Sequence, residues 1–107
     1  MNNQELIQRL TELNQEISKT ELAYYDTLHK IKEVEYTIQE KTSQLLLSGK
    51  IDGKTEKIRD AQLFPHMKNL LLEKIEAEKE SDRKKERYYA KKREAVHIQY
   101  IIRLLTP

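Results

Sequence analysis

Apolar residues recur along the first half of the chain at alternating steps of three and four. This spacing is typical of a coiled-coil seam, where one narrow stripe of a helix faces a partner helix. No Gly or Pro interrupts it before Gly49, so we predict a long helix over about residues 3–48. Its seam positions are Leu6, Leu10, Leu13, Ile17, Thr20, Tyr24, Thr27, Ile31, Val34, Ile38, Lys41 and Leu45.

The second half carries a weaker form of the same pattern. Thr55 is a suitable cap for a short helix, and Pro65 is expected to break the chain because proline lacks a backbone donor. We therefore predict a turn and short helix over about residues 49–64 and a second long helix over about 66–105. Its seam positions are Met67, Leu70, Lys74, Ala77, Ser81, Lys84, Tyr88, Lys91, Ala95, Ile98, Ile102 and Leu105.

Together these patterns predict one all-α domain over residues 1–107, an antiparallel two-helix coiled-coil hairpin. The composition agrees, since 36% of residues are charged and there are only two Gly and two Pro. Residues 1–48 carry eight acids against five bases, and residues 49–107 carry fifteen bases against ten acids. The two helices therefore attract each other. Folding them together places Tyr24 beside Tyr88.

The chain has no Cys, which excludes disulfides and thiolate metal sites. No apolar stretch approaches the roughly 18 residues that a membrane-spanning helix needs. We expect a soluble cytoplasmic protein that does not insert into a membrane.

Two regions hold more apolar residues than one seam can use. Those near the turn either form a small local core or expose a tip that docks a partner protein. Those near the C-terminus surround much of the helix and favour self-association, for example two hairpins in a four-helix bundle. The candidate partner-binding residues are Leu63, Phe64, Met67, Ile101 and Leu105.

One stretch is strongly basic, with seven bases, one acid and two tyrosines in residues 83–93. Such density suits nucleic acid, because bases neutralise phosphates and aromatic rings stack on unpaired bases. The alternative is a solvated face that pairs with acids of the first helix, such as Glu16, Glu21 and Asp26. The candidate nucleic-acid-binding residues are Arg83, Lys84, Lys85, Arg87, Lys91, Lys92 and Arg93.

No motif predicts catalysis. Residues 48–55 resemble a phosphate-binding loop, but that loop must follow a buried strand, and no strand is expected here. Glu94 and His97 have the spacing of a di-iron motif, which needs a second copy on another helix. We expect no enzyme, no metal, no cofactor and no small-molecule substrate.

The turn carries the phrase Gly53-Lys54-Thr55-Glu56-Lys57-Ile58-Arg59-Asp60-Ala61-Gln62, preceded by Leu45-Leu46-Leu47-Ser48-Gly49. In this phrase and in its layout the chain resembles small helical-hairpin proteins encoded by phages and prophages of Gram-positive bacteria. That resemblance implies a phage accessory factor acting in the host cytoplasm, with no assigned activity. The sequence thus predicts a coiled-coil adaptor or inhibitor that binds another protein. The alternative is a nucleic-acid-binding accessory in phage replication or recombination.

Overall fold

The computed structural model describes residues 2–106 and contains two helices, with no strand in that range. The first, α1, spans Asn3–Leu47. The Asn2 side chain caps it by accepting a hydrogen bond from the Glu5 amide at 2.8 Å. Gly49 follows its end with φ +77°, the left-handed conformation in which glycine commonly terminates a helix. The predicted first helix is confirmed at both ends.

The second helix, α2, spans Glu56–Leu105 without a break. The predicted cap is present, since the Thr55 hydroxyl accepts a hydrogen bond from the Ile58 amide at 3.2 Å. The separate short helix and the break at Pro65 are wrong, because α2 continues through Pro65. Leu63 and Met67, on either side of the proline, pack in the same apolar cluster. Continuing the helix keeps both contacts, which offset the roughly 3 kcal/mol that an interior proline costs.

The two helices contact each other along the predicted seams, so the fold is an all-α helical hairpin. Every predicted seam residue of α1 is buried or half-buried. The same holds for α2 except at Leu105, which is 52% exposed. The hairpin divides into two compact units, which we describe separately.

Unit 1 comprises residues 2–27 and 80–106, and unit 2 comprises residues 28–79. The core of unit 1 is a cluster of Leu6, Leu13, Ala95 and Ile98. The core of unit 2 is a cluster of Leu45, Ile51 and Met67. Each cluster takes residues from both antiparallel segments of its unit.

Candidate interaction surfaces

The turn of unit 2 is held by side chains of residues 52–62. The Gln62 amide nitrogen donates to the Asp52 carboxylate at 2.9 Å, and its oxygen accepts from the Gly53 amide at 2.9 Å. Arg59 donates to the Gly53 carbonyl at 3.2 Å. A Cβ on Gly53 would lie 2.5 Å from Cγ2 of Ile58, so the turn has no room for another residue there. This segment therefore has a structural role, and its Gly53 amide already has a partner within the chain.

The predicted docking residues near the turn separate into core and surface. Met67 is only 4% exposed and belongs to the core cluster, and half-buried Leu63 packs against it. The docking role predicted for Met67 is wrong, because the position of Met67 in the α2 seam turns its side chain towards α1. Phe64 is 55% exposed and is the surface residue of the three.

Phe64 lies where two apolar grooves of unit 2 meet. One groove, of about 430 Å³, runs along α2. The other, of about 310 Å³, lies between the helices and includes Ile38 and Thr42 of α1. The first is lined by Phe64, Lys68, Leu71, Leu72, Lys74 and Ile75. We call these six residues the Phe64 surface.

The predicted docking residues near the C-terminus also separate. Ile101 is half-buried and packs against the core of unit 1, whereas Leu105 is exposed. A larger exposed groove lies on α2, with a volume of about 550 Å³. Val96 and Tyr100 in its lining are 64% and 60% exposed. Neither residue is among the docking residues predicted from the sequence.

Helix geometry explains which residues of unit 1 share a surface. Each residue advances about 100° around its helix. In an antiparallel pair of right-handed helices, the residues that follow seam positions therefore lie on one side of the pair in both helices. The residues that precede seam positions lie on the other side. This rule divides the surface of unit 1 into two sides.

The residues that precede seam positions form the charged side of unit 1. The Arg9 guanidinium lies 2.9 Å from a Glu94 oxygen and 3.2 Å from a Glu16 oxygen, and the Lys91 ammonium lies 3.2 Å from Glu16. Arg9 and Glu94 precede the seam residues Leu10 and Ala95, so these ion pairs join the two helices. Lys91 and then Arg9 hold the pKa of the Glu16 carboxyl below its ordinary value, against the opposing effect of burial. The hydrogen bond with Glu94 raises the pKa of Arg9 further above its already high value.

The residues that follow seam positions form the aromatic side. They are Ile7, Thr11, Asn14, Ser18, Glu21 and Tyr25 of α1, and Lys85, Tyr89, Lys92, Val96, Gln99 and Arg103 of α2. All are exposed except half-buried Glu21. The groove on α2 includes Tyr89, Lys92 and Val96 from this side.

Four tyrosines cross unit 1 as a row of rings. The centroids of Tyr24 and Tyr88 are 6.2 Å apart, which confirms the predicted pairing. Tyr25 and Tyr89 extend the row at 5.7 and 5.2 Å from their neighbours and are exposed on the aromatic side. The Tyr88 hydroxyl donates to the Glu21 carboxylate at 2.8 Å. That hydrogen bond, with burial, raises the pKa of Tyr88 to about 12.

Most bases of residues 83–93 already have partners within the chain. Arg83 and Lys84 pair with Glu80, and Arg93 pairs with Glu86, all on α2 itself. Lys91 pairs across the hairpin with Glu16. Lys92 lies over the rings of Tyr88 and Tyr89 at 5.2 and 5.5 Å. The two bases with no ion pair or ring contact among residues 2–106 are Lys85 and Arg87.

The histidines do not assemble a site. Glu94, the acid of the di-iron spacing, is held by Arg9, and His97 is exposed. Within residues 2–106, no three His, Asp or Glu side chains are grouped so as to hold a metal ion. Neither described helix has a stretch long and apolar enough to cross a membrane.

Comparisons with protein-family models, with curated proteins and with solved structures find no match to this chain.

Proposed function

We propose that this chain is a non-enzymatic coiled-coil interaction protein, an adaptor or inhibitor that binds another protein through the Phe64 surface. The observation that carries the proposal is Phe64 itself, a phenylalanine that is 55% exposed where two apolar grooves meet. Exposed aromatic residues set in apolar grooves are typical anchors of protein interfaces.

The spacing of the Phe64 surface favours a helical partner. Leu71 and Ile75 lie seven and eleven residues after Phe64 on α2, so the three share one face of the helix. An amphipathic partner helix can pack against side chains at this spacing. Lys68 and Lys74 flank these apolar side chains; Lys74 already pairs with Glu35 of α1 at 3.7 Å, so Lys68 is the cation that remains for a partner. We therefore expect a partner helix with an apolar stripe and acidic residues beside it.

A displayed library of helical peptides tests this proposal directly. Selection on the immobilised protein should enrich sequences with apolar residues at helical spacing and flanking Asp or Glu. The Phe64→Ser variant should lose these peptides while circular dichroism shows intact helices. Leu47→Ser is the matched control, since Leu47 is 89% exposed in the same unit but outside both grooves. Enriched peptides that bind Phe64→Ser as well as the unchanged chain would contradict the proposal.

The nucleic-acid alternative has less support, because four of its seven bases carry ion pairs within the chain. Its best remaining residues are Lys85 and Arg87. If it is correct, single-stranded DNA should bind at about 50 mM salt, weaken steeply by about 200 mM, and be lost when both residues are replaced by Gln. Anisotropy titration measures all three.

A role as a phage accessory factor in the host cytoplasm is also a proposal. It rests on the resemblance of the turn phrase and on the absence of Cys from the sequence.

A further inference from the structure

The aromatic side of unit 1 leaves large apolar side chains of both helices in water. Four of them are exposed, two from each helix. At on the order of 100 Å² for each half-exposed side chain, they present on the order of 400 Å². A stable interface takes about 800 Å² from each partner, and the exposed polar residues of the same side supply the remaining half. The four are Ile7, Tyr25, Tyr89 and Val96.

The width of this surface points to a partner that is also two helices wide. Tyr25 on α1 and Tyr89 on α2 stand at the two ends of one row of rings. A single added helix would cover the furrow between them and leave one outer edge exposed. A second hairpin covers both edges, as in a four-helix bundle.

The charges on the two halves of the surface determine how a second hairpin would lie. The α2 half carries Lys85, Lys92 and Arg103, so packing α2 on α2 would oppose like charges. The α1 half carries one charged residue, Glu21, which already accepts a hydrogen bond from Tyr88. Packing α2 of one copy on α1 of the other therefore avoids this repulsion and places the bases against the acidic half of the chain.

The sizes of the side chains agree with the same arrangement. Between Ile7 and Glu21 the α1 half presents Thr11, Asn14 and Ser18, which are small and polar. The α2 half presents larger residues, with Tyr89, Lys92 and Val96 along one groove. Large side chains from one helix and small ones from the facing helix interdigitate well.

We propose that the aromatic side of unit 1 binds the same side of a second copy of this chain, with α2 of each copy packed on α1 of the other. The contact is isologous, so it closes as a dimer with two-fold symmetry. It uses residues of unit 1 and does not depend on the Phe64 surface of unit 2.

Light scattering on the full chain tests the dimer, at protein concentrations from about 5 to about 200 µM because association follows mass action. The expected molar mass at the upper end is twice 12.8 kDa. Val96→Glu should reduce it to 12.8 kDa with helicity retained. Ala90→Glu is the matched control, since it adds the same charge at an exposed position just before seam residue Lys91, and it should remain a dimer.

If Val96→Glu loses helicity, Ile7→Ser on the α1 half of the same side replaces it with the same expected outcome. A 12.8 kDa particle for the unchanged chain at about 200 µM would overturn the proposal. So would equal effects of Val96→Glu and Ala90→Glu. Phe64→Ser should leave the molar mass unchanged, which separates a failure here from a failure of the proposed function.

Discussion

The two sides of unit 1 are built from the same two helices but differ in the contacts that their side chains make. On the charged side, Arg9, Glu16, Lys91 and Glu94 form ion pairs that bind α1 to α2 within one chain. On the aromatic side, the exposed apolar side chains have no such use within the chain. One side therefore holds the two helices of a chain together, and the other side is the one proposed to bind a second copy.

The largest effect is expected at the seam beneath both sides. Leu13 is 0% exposed in the unit 1 core, so Leu13→Ala leaves a cavity and should lower the free energy of unfolding by about 2–5 kcal/mol. Urea denaturation followed by circular dichroism measures it. Leu47→Ala, at an exposed position, is the control and should change stability by less than about 0.5 kcal/mol.

A smaller loss is expected on the charged side. Arg9→Met leaves Glu12, Glu16 and Glu94 near one another without their shared cation. The urea midpoint should fall measurably, by less than for Leu13→Ala, and the dimer should persist. Arg83→Met is the control, because Arg83 pairs with an exposed acid on its own helix and such pairs contribute little. Loss of the dimer in Arg9→Met would contradict the claim that the charged side takes no part in dimerisation.

The charged side should also respond to acid. Because the pKa of Glu16 is lower in the folded chain than its ordinary value of 4.5, its stabilising contribution is present above that value. It is lost as pH falls through the lower folded pKa. Stability measured from pH 7 to pH values below about 4 should therefore fall less steeply in Glu16→Gln than in the unchanged chain. Identical pH profiles for the two would show that Glu16 does not contribute.

The smallest effect concerns Tyr88, whose hydroxyl is held by Glu21. The pKa of Tyr88 is raised from 10.0 to about 12 in the folded chain. The protonated hydroxyl therefore stabilises the fold fully below pH 10, and this stabilisation is lost as pH rises through about 12. In an ultraviolet titration of tyrosinate, the unchanged chain should show an ionisation step near pH 12. Tyr88→Phe should remove that step, and a remaining step near 12 would contradict the assignment.

The sequence was sufficient for the fold and for the seam, because heptad spacing depends only on which helix face is apolar. It was not sufficient to predict that α2 continues through Pro65. The free-energy cost of the missing backbone donor there competes with the gain from packing Leu63 and Met67, and the size of that gain depends on the folded structure. The docking role predicted for Met67 was wrong for a related reason. An apolar residue can lie in the seam or on the surface, and its exposure in the folded chain distinguishes the two.

The aromatic side follows from the sequence once the antiparallel arrangement of the two helices is taken into account. Tyr25, Tyr89 and Val96 each follow a seam residue, and the antiparallel geometry places such residues on one side. Pairing of the basic stretch with Glu16 across the hairpin was predicted from the sequence, but which of its bases pair along α2 instead was not. Lys91 and Arg83 stand in the same basic stretch, yet one pairs across the hairpin and the other pairs along its own helix.

Cysteine cross-linking tests most directly which side of unit 1 meets a second copy, because the natural chain has no cysteine. Chains with Val96→Cys would be mixed with chains carrying a cysteine at Thr11, Asn14 or Ser18 and mildly oxidised. We predict that at least one mixture gives a mixed disulfide dimer in preference to a Val96→Cys homodimer. Ala90→Cys, on the charged side, should remain monomeric under denaturing conditions. Efficient cross-linking through Ala90→Cys, with none from Val96→Cys, would contradict the account.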